Sequence, residues 1–108
     1  SSVSAERETI EEVTLTGSSP NFHLVENVQI AQGRSFTEIE DRKKIEVAFI
    51  GNDLKERFFP TTDATGKTVD IAGRPFTVVG VAKSRGSAFG QSQDNFVYIP
   101  AGTYFKMY

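Results

Sequence analysis

A chain of 108 residues suits one compact domain with a modest core, and nine Phe, three Tyr and no Trp make that core Phe-anchored. The net charge of -2 comes from interleaved acids and bases, so no basic stripe is available for a nucleic-acid backbone. Zero Cys excludes a disulfide framework, a thiolate metal site and thiol catalysis.

Residues 1–8 are polar and expected to fray. "TIEEVTLT", 9–16, alternates in its second half through Val13 and Leu15 and predicts a strand. Gly17-Ser18-Ser19-Pro20 then punctuates the chain. Within 21–28, Phe22 and Val25 have helical spacing, which predicts a short helix, and Gln32-Gly33-Arg34 predicts a turn. Ser35-Phe36-Thr37-Glu38 has capping-box spacing. Acids follow it, and Arg42-Lys43-Lys44 close the segment in the order a helix dipole prefers.

"IEVAFIG", 45–51, reads as a buried strand. Asn52 or Asp53 is expected to cap a second helix, with Leu54, Phe58 and Phe59 facing the core. Residues 67–83 then read as a β-hairpin. Gly73 supplies the positive φ of its turn and Pro75 enters the returning strand at an edge. "SRGSAFGQSQDN", 84–95, reads as a flexible loop, "FVYIP" as a strand and "AGTYFKMY" as a helix. The expected fold is α+β: mainly antiparallel strands with short helices and no long crossover helices.

Gly66-Lys67-Thr68 invites comparison with a phosphate-binding loop, but Thr61 stands where the leading Gly should be. Thr68-Val69-Asp70-Ile71 after it is a strand pattern, so the residues predict a turn into a strand. His23 is the single His and reads as a half-exposed helix residue, leaving no His-based metal site or nucleophile–base pair. Glu38, Glu40 and Asp41 beside Arg42, Lys43 and Lys44 read as a solvated helix, and Asp63 among Thr61, Thr62 and Thr65 as a turn. The expectation is therefore a non-enzyme with no catalytic residue, cofactor or metal. One segment is not explained by packing. In the 84–95 loop Gly86 and Gly90 frame Phe89, with Arg85 and Gln91 nearby, and these three residues are the candidate partner contact.

No apolar run approaches the length of a membrane helix, and no signal peptide is expected. The start at Ser1-Ser2-Val3, without Met, is expected of a piece cut from a longer protein. The order of motifs carries more. Gly33-Arg34-Ser35-Phe36, Val47 to Gly51, Phe58-Phe59-Pro60, Asp63 through Val81 and Val97 to Pro100 resemble the extracytoplasmic core domain of MacB-like ABC transporter permeases. The resemblance runs from about residue 17 to residue 100. It divides the chain into an N-terminal polar segment and strand, 1–16, and a MacB-like extracytoplasmic subdomain, 17–108.

The resemblance implies a soluble, non-catalytic piece on the periplasmic side of the bacterial inner membrane. Its role there is to transmit ATP-driven motion and contact other proteins. The implied partners are the transmembrane helices and cytoplasmic ATPase domain of the same transporter, a periplasmic adaptor protein, and a second copy in a homodimer. The alternative is a module whose Phe-lined concavities bind a small molecule or a peptide.

Overall fold

The computed structural model describes residues 1–108. Ten strands and four helices follow in chain order. They begin with β1 (Val3–Ala5), β2 (Glu8–Ile10), β3 (Thr14–Ser18), α1 (Phe22–Val25), β4 (Ile30–Gly33), α2 (Glu38–Arg42) and β5 (Val47–Ile50). Next are α3 (Asn52–Phe58), β6 (Thr68–Ile71), β7 (Arg74–Ala82), β8 (Ser87–Ala88), β9 (Gln91–Ser92), β10 (Phe96–Pro100) and α4 (Ala101–Met107). Eight strands form one mixed sheet in the order β2-β1-β6-β7-β5-β10-β3, with β4 also paired to β7. Only β10–β3 and β5–β7 run parallel. The separate β8–β9 hairpin completes the expected α+β fold.

Alternation along the strands splits the core into two layers. Ala48, Ile50, Val97 and Ile99 point to one side, where Leu54, Phe58 and Phe59 from α3 and its C-terminus cover them. Val47, Phe49 and Phe96 point to the other, where Phe22, Val28 and Phe36 cover them. This is the period-2 rule of a strand applied to a sheet buried on both faces. A register shift lets Val79 bulge: Ala48 faces Val78, but Phe49 faces Gly80. The extra residue explains how Val78 and Val81, three apart, reach the same layer.

The 67–83 hairpin is as expected, with Ala72 at φ 53° and Gly73 at φ 78° making its two-residue turn. Three local expectations are corrected. Residues 1–8 do not fray, because β1 pairs with β6 and Val3 is wholly buried. The turn Glu6-Arg7 into β2 has positive φ at both residues without a Gly or Asn to announce it. Residues 9–16 are two strands, separated at Glu12, where φ is 55°. Gln32 and Gly33 belong to β4, held to β7 by backbone pairing that their turn-like composition hides.

The caps are displaced as well. The capping box starts at Thr37: its hydroxyl accepts from the Glu40 N–H, and the Glu40 carboxylate accepts from the Thr37 N–H. Ser35 instead donates its hydroxyl to the Pro20 carbonyl. Helix α3 has Gly51 at its N-cap, and the Asp94 carbonyl rather than a side chain accepts the Asp53 N–H.

Arg34 donates to both Glu40 carboxylate oxygens, at 2.9 and 3.1 Å. Those hydrogen bonds hold the Glu40 carboxyl below its usual range against the opposing effect of burial. A depressed carboxylate contributes stability above its unfolded pKa and loses it as pH falls through the folded value. Arg34 is half-exposed, so screening limits the effect to under about 1 kcal/mol. Urea titrations should find Glu40→Gln less stable than the parent at pH 7, with the gap closing below pH 4.5. A gap that stays constant down to pH 3 would remove the carboxylate from this account.

Candidate functional site

The hairpin of β8 and β9 stands between β7 and β10, and Asp94 fixes its root. The Asp94 carboxylate is 3% exposed and accepts from the Ser84 hydroxyl at 3.1 Å, the Arg85 N–H at 2.8 Å and the Gly86 N–H at 3.1 Å. Gln93 N–H donates to the Gly86 carbonyl at 2.9 Å, and Ser92 bridges Asp53 and the Asp94 N–H. A buried carboxylate satisfied by two backbone donors and a hydroxyl is a rigid anchor. The segment expected to be a flexible loop is therefore a small tethered hairpin.

Phe89 and Gly90 form the turn at its tip, with φ of 52° and 76°. Gly accepts such a conformation freely, whereas a Phe there is strained. The Phe89 side chain is fully exposed and covers no part of either core. Arg85 at the root and Gln91 on β9 are exposed too, so the three candidate contact residues lie on one hairpin. Lys83 and Arg85 also border a cavity of about 270 Å³ together with Asn27, Gln29 and Ser84. The sequence analysis did not single out Lys83, Asn27 or Gln29. The available signal was Asn27-Val28-Gln29, one buried apolar residue between two exposed amides.

The other candidates resolve into structure. Gly66 donates its N–H to the Val78 carbonyl and Thr68 opens β6, so Gly66-Lys67-Thr68 is a turn into a strand. Asp63 accepts from the Thr65 N–H and hydroxyl, both at 2.9 Å, and these bonds hold its carboxyl below the usual range. Glu40 pairs with Arg34, and Asp41 accepts the Gly102 N–H at 2.8 Å. Glu38 is exposed on α2. His23 is half-buried edge-on to Phe22, with Nδ1 unpaired.

No group of three or more His, Asp and Glu is arranged to hold a metal ion. The largest cavity, about 410 Å³, is lined by Ile10, Asp53, Glu56, Arg57 and Asn95, with no Phe among them. Burial and the nearby Glu26 push the Tyr98 hydroxyl above its usual pKa, with Arg85 opposing. That places Tyr98 within reach of the charges around the hairpin root.

The two-faced sheet with its tethered hairpin makes an α+β module. The chain belongs to the MacB-like periplasmic core domain family, whose model matches residues 1–108. It is 39% identical over 79 residues to the macrolide export ATP-binding/permease protein MacB of Nitrosomonas europaea, covering 71% of this chain and 12% of that one. It is 31% identical over 90 residues to the MacB of Neisseria gonorrhoeae, covering 83% of this chain and 14% of that one.

Two solved structures share the fold. The periplasmic region of MacB from Actinobacillus actinomycetemcomitans aligns with a TM-score of 0.82 at 25% identity, over 97% of this chain and 45% of that one. The extracellular domain of the noncanonic ABC-type transporter YknZ from Gram-positive bacteria aligns at 0.79 and 25%, over 97% and 51%. The chain thus spans a small part of the curated relatives and about half of each solved domain. It is an extracytoplasmic domain of this family, and no helix in it is long and apolar enough to cross a membrane.

Proposed function

We propose that this domain is the non-catalytic extracytoplasmic part of an ABC-type efflux permease. It passes ATP-driven motion from a cytoplasmic ATPase domain, through transmembrane helices, to protein partners outside the membrane. An adaptor protein and a second copy of the domain are the partners this reading calls for. Its contact element is the β8–β9 hairpin, through Arg85, Phe89 and Gln91. The relatives named for macrolide export support the transporter assignment. The observation that carries the contact assignment is Phe89, fully exposed and held at φ 52° on a root fixed by Asp94. The φ is that of a two-residue hairpin turn, as at Ala72, whereas the full exposure of the ring stabilises nothing in the fold, and contact with another molecule accounts for it.

Phe89→Asn in the full transporter separates stability from function. Asn tolerates the left-handed region, so the domain should keep or gain stability, by about 0.5 kcal/mol, while export falls. Thermal melts and an efflux assay read the two effects. Export at the parent rate with a folded variant would eliminate the hairpin tip as the contact.

A further inference from the structure

The cavity at the hairpin root gathers two cations that no carboxylate pairs. Arg34, Lys55, Arg57 and Arg74 each meet a carboxylate within 4.0 Å. Lys83 and Arg85 meet none, yet they border the same cavity of about 270 Å³. Its remaining walls are the amides of Asn27 and Gln29 and the hydroxyl of Ser84, so no acid lines it. Two acids stand nearby: exposed Glu26, one residue before Asn27, and buried Asp94, whose carboxylate is taken up by Ser84, Arg85 N–H and Gly86 N–H. On a chain of net charge -2, two unpaired cations around one concavity form a local anion trap.

The backbone there is stiff. Lys83 N–H donates to the Gln29 carbonyl at 2.8 Å, and Arg85 N–H to the Asp94 carboxylate at 2.8 Å. The two walls of the cavity are thereby tied together before any ligand arrives, which lowers the ordering cost of binding.

We propose that this cavity recognises a carboxylate side chain on an acidic peptide segment of a protein partner. The proposal rests on the contact role of the hairpin and supplies the chemistry of what it contacts. Arg85 offers a planar fork that matches a carboxylate, Lys83 adds a point charge, and the two amides can pair with the segment's backbone. The cavity is large enough for a side chain and lies at the root of a projecting hairpin. A single protruding acid on a folded partner enters such a recess, whereas a flat bilayer surface meets the hairpin tip first. Leu24 and Val25 on α1, a few residues before Asn27, are exposed, as is Phe89 at the hairpin tip.

The test is a titration of the ¹⁵N-labelled chain with the synthetic peptide acetyl-Gly-Asp-Glu-Leu-Glu-Gly-amide, with its all-amide analogue as control. The acidic peptide should shift the backbone amides of Asn27, Gln29, Lys83, Ser84 and Arg85, and added salt should weaken the binding. The Lys83→Gln/Arg85→Gln double variant should bind about tenfold more weakly, and Lys83→Gln alone should lie between it and the parent.

Equal shifts from the all-amide analogue, or none with the acidic peptide, would overturn the proposal. Shifts produced only by inorganic phosphate or by phosphatidylglycerol vesicles would overturn it in favour of a free anion or a lipid headgroup. Phe89→Asn keeps both cations. Loss of export in that variant without peptide binding to the parent would therefore reject the carboxylate site and leave the contact hairpin standing.

Discussion

Phe22→Ala is expected to destabilise the domain by about 3–5 kcal/mol, a large fraction of the 5–15 kcal/mol typical of a domain this size. Phe22 is 1% exposed and stacks on Tyr98 with ring centroids 4.2 Å apart, while also touching Phe36 at 5.4 Å and Phe49 at 5.1 Å. It is also the single buried residue of α1, a four-residue helix too short to persist without packing. Truncation therefore opens a cavity at the centre of the smaller core layer and frees the segment that carries Leu24, Val25 and one wall of the root cavity. Urea unfolding measures the loss. A cost below about 1 kcal/mol would mean that the layer collapses around the gap, contrary to this packing.

Gly80→Ala is expected to cost about 3 kcal/mol or more, by overpacking rather than by cavity formation. A Cβ at Gly80 would lie 2.1 Å from the Arg34 carbonyl oxygen and 2.7 Å from the Phe49 ring. The backbone oxygen cannot move freely, because the adjacent Arg34 N–H is bonded to the Val79 carbonyl at 2.9 Å. Gly66→Ala provides the contrast. Nothing lies within 4 Å of a Cβ there, and the cost comes only from its φ of 83°. That substitution should cost roughly 1–2 kcal/mol. Equal melting temperatures for the two variants would show that β4 and β7 can separate to admit a methyl group.

The candidate site was partly legible in the sequence. Phe89 between Gly86 and Gly90 was conspicuous because an aromatic in a polar, Gly-rich segment has no local reason to be there. Its outward direction was not legible, since a loop Phe can equally fold back onto the core. The hairpin geometry was hidden for a related reason. Two-residue strands give no periodicity to read, and the anchor is Asp94, whose three hydrogen bonds depend on residues 8 to 10 positions away. The root cavity joins residues 27–29 to 83–85 across the β4–β7 pairing, a contact with no sequence signature.

The strongly apolar or alternating stretches were determined by the sequence alone. Val47–Ile50, Thr68–Ile71, Arg74–Ala82 and Phe96–Pro100 are strands because β-branched and aromatic residues fit a buried pleated surface, and Gly73 makes their tight turn. The ordered motifs likewise pointed to the MacB-like family, which the match over residues 1–108 shows.

Tertiary structure decided the rest. Val3–Ala5 and Ile30–Gly33 are strands because neighbouring β6 and β7 offer unpaired edges, and pairing with them outweighs weak local propensity. The cap of α3 fell to the Asp94 carbonyl because Gly51 lets that backbone approach closely. Propensity acts on each residue from its immediate neighbours. Edge pairing, backbone caps and the shared wall of a cavity exist only once distant segments have met.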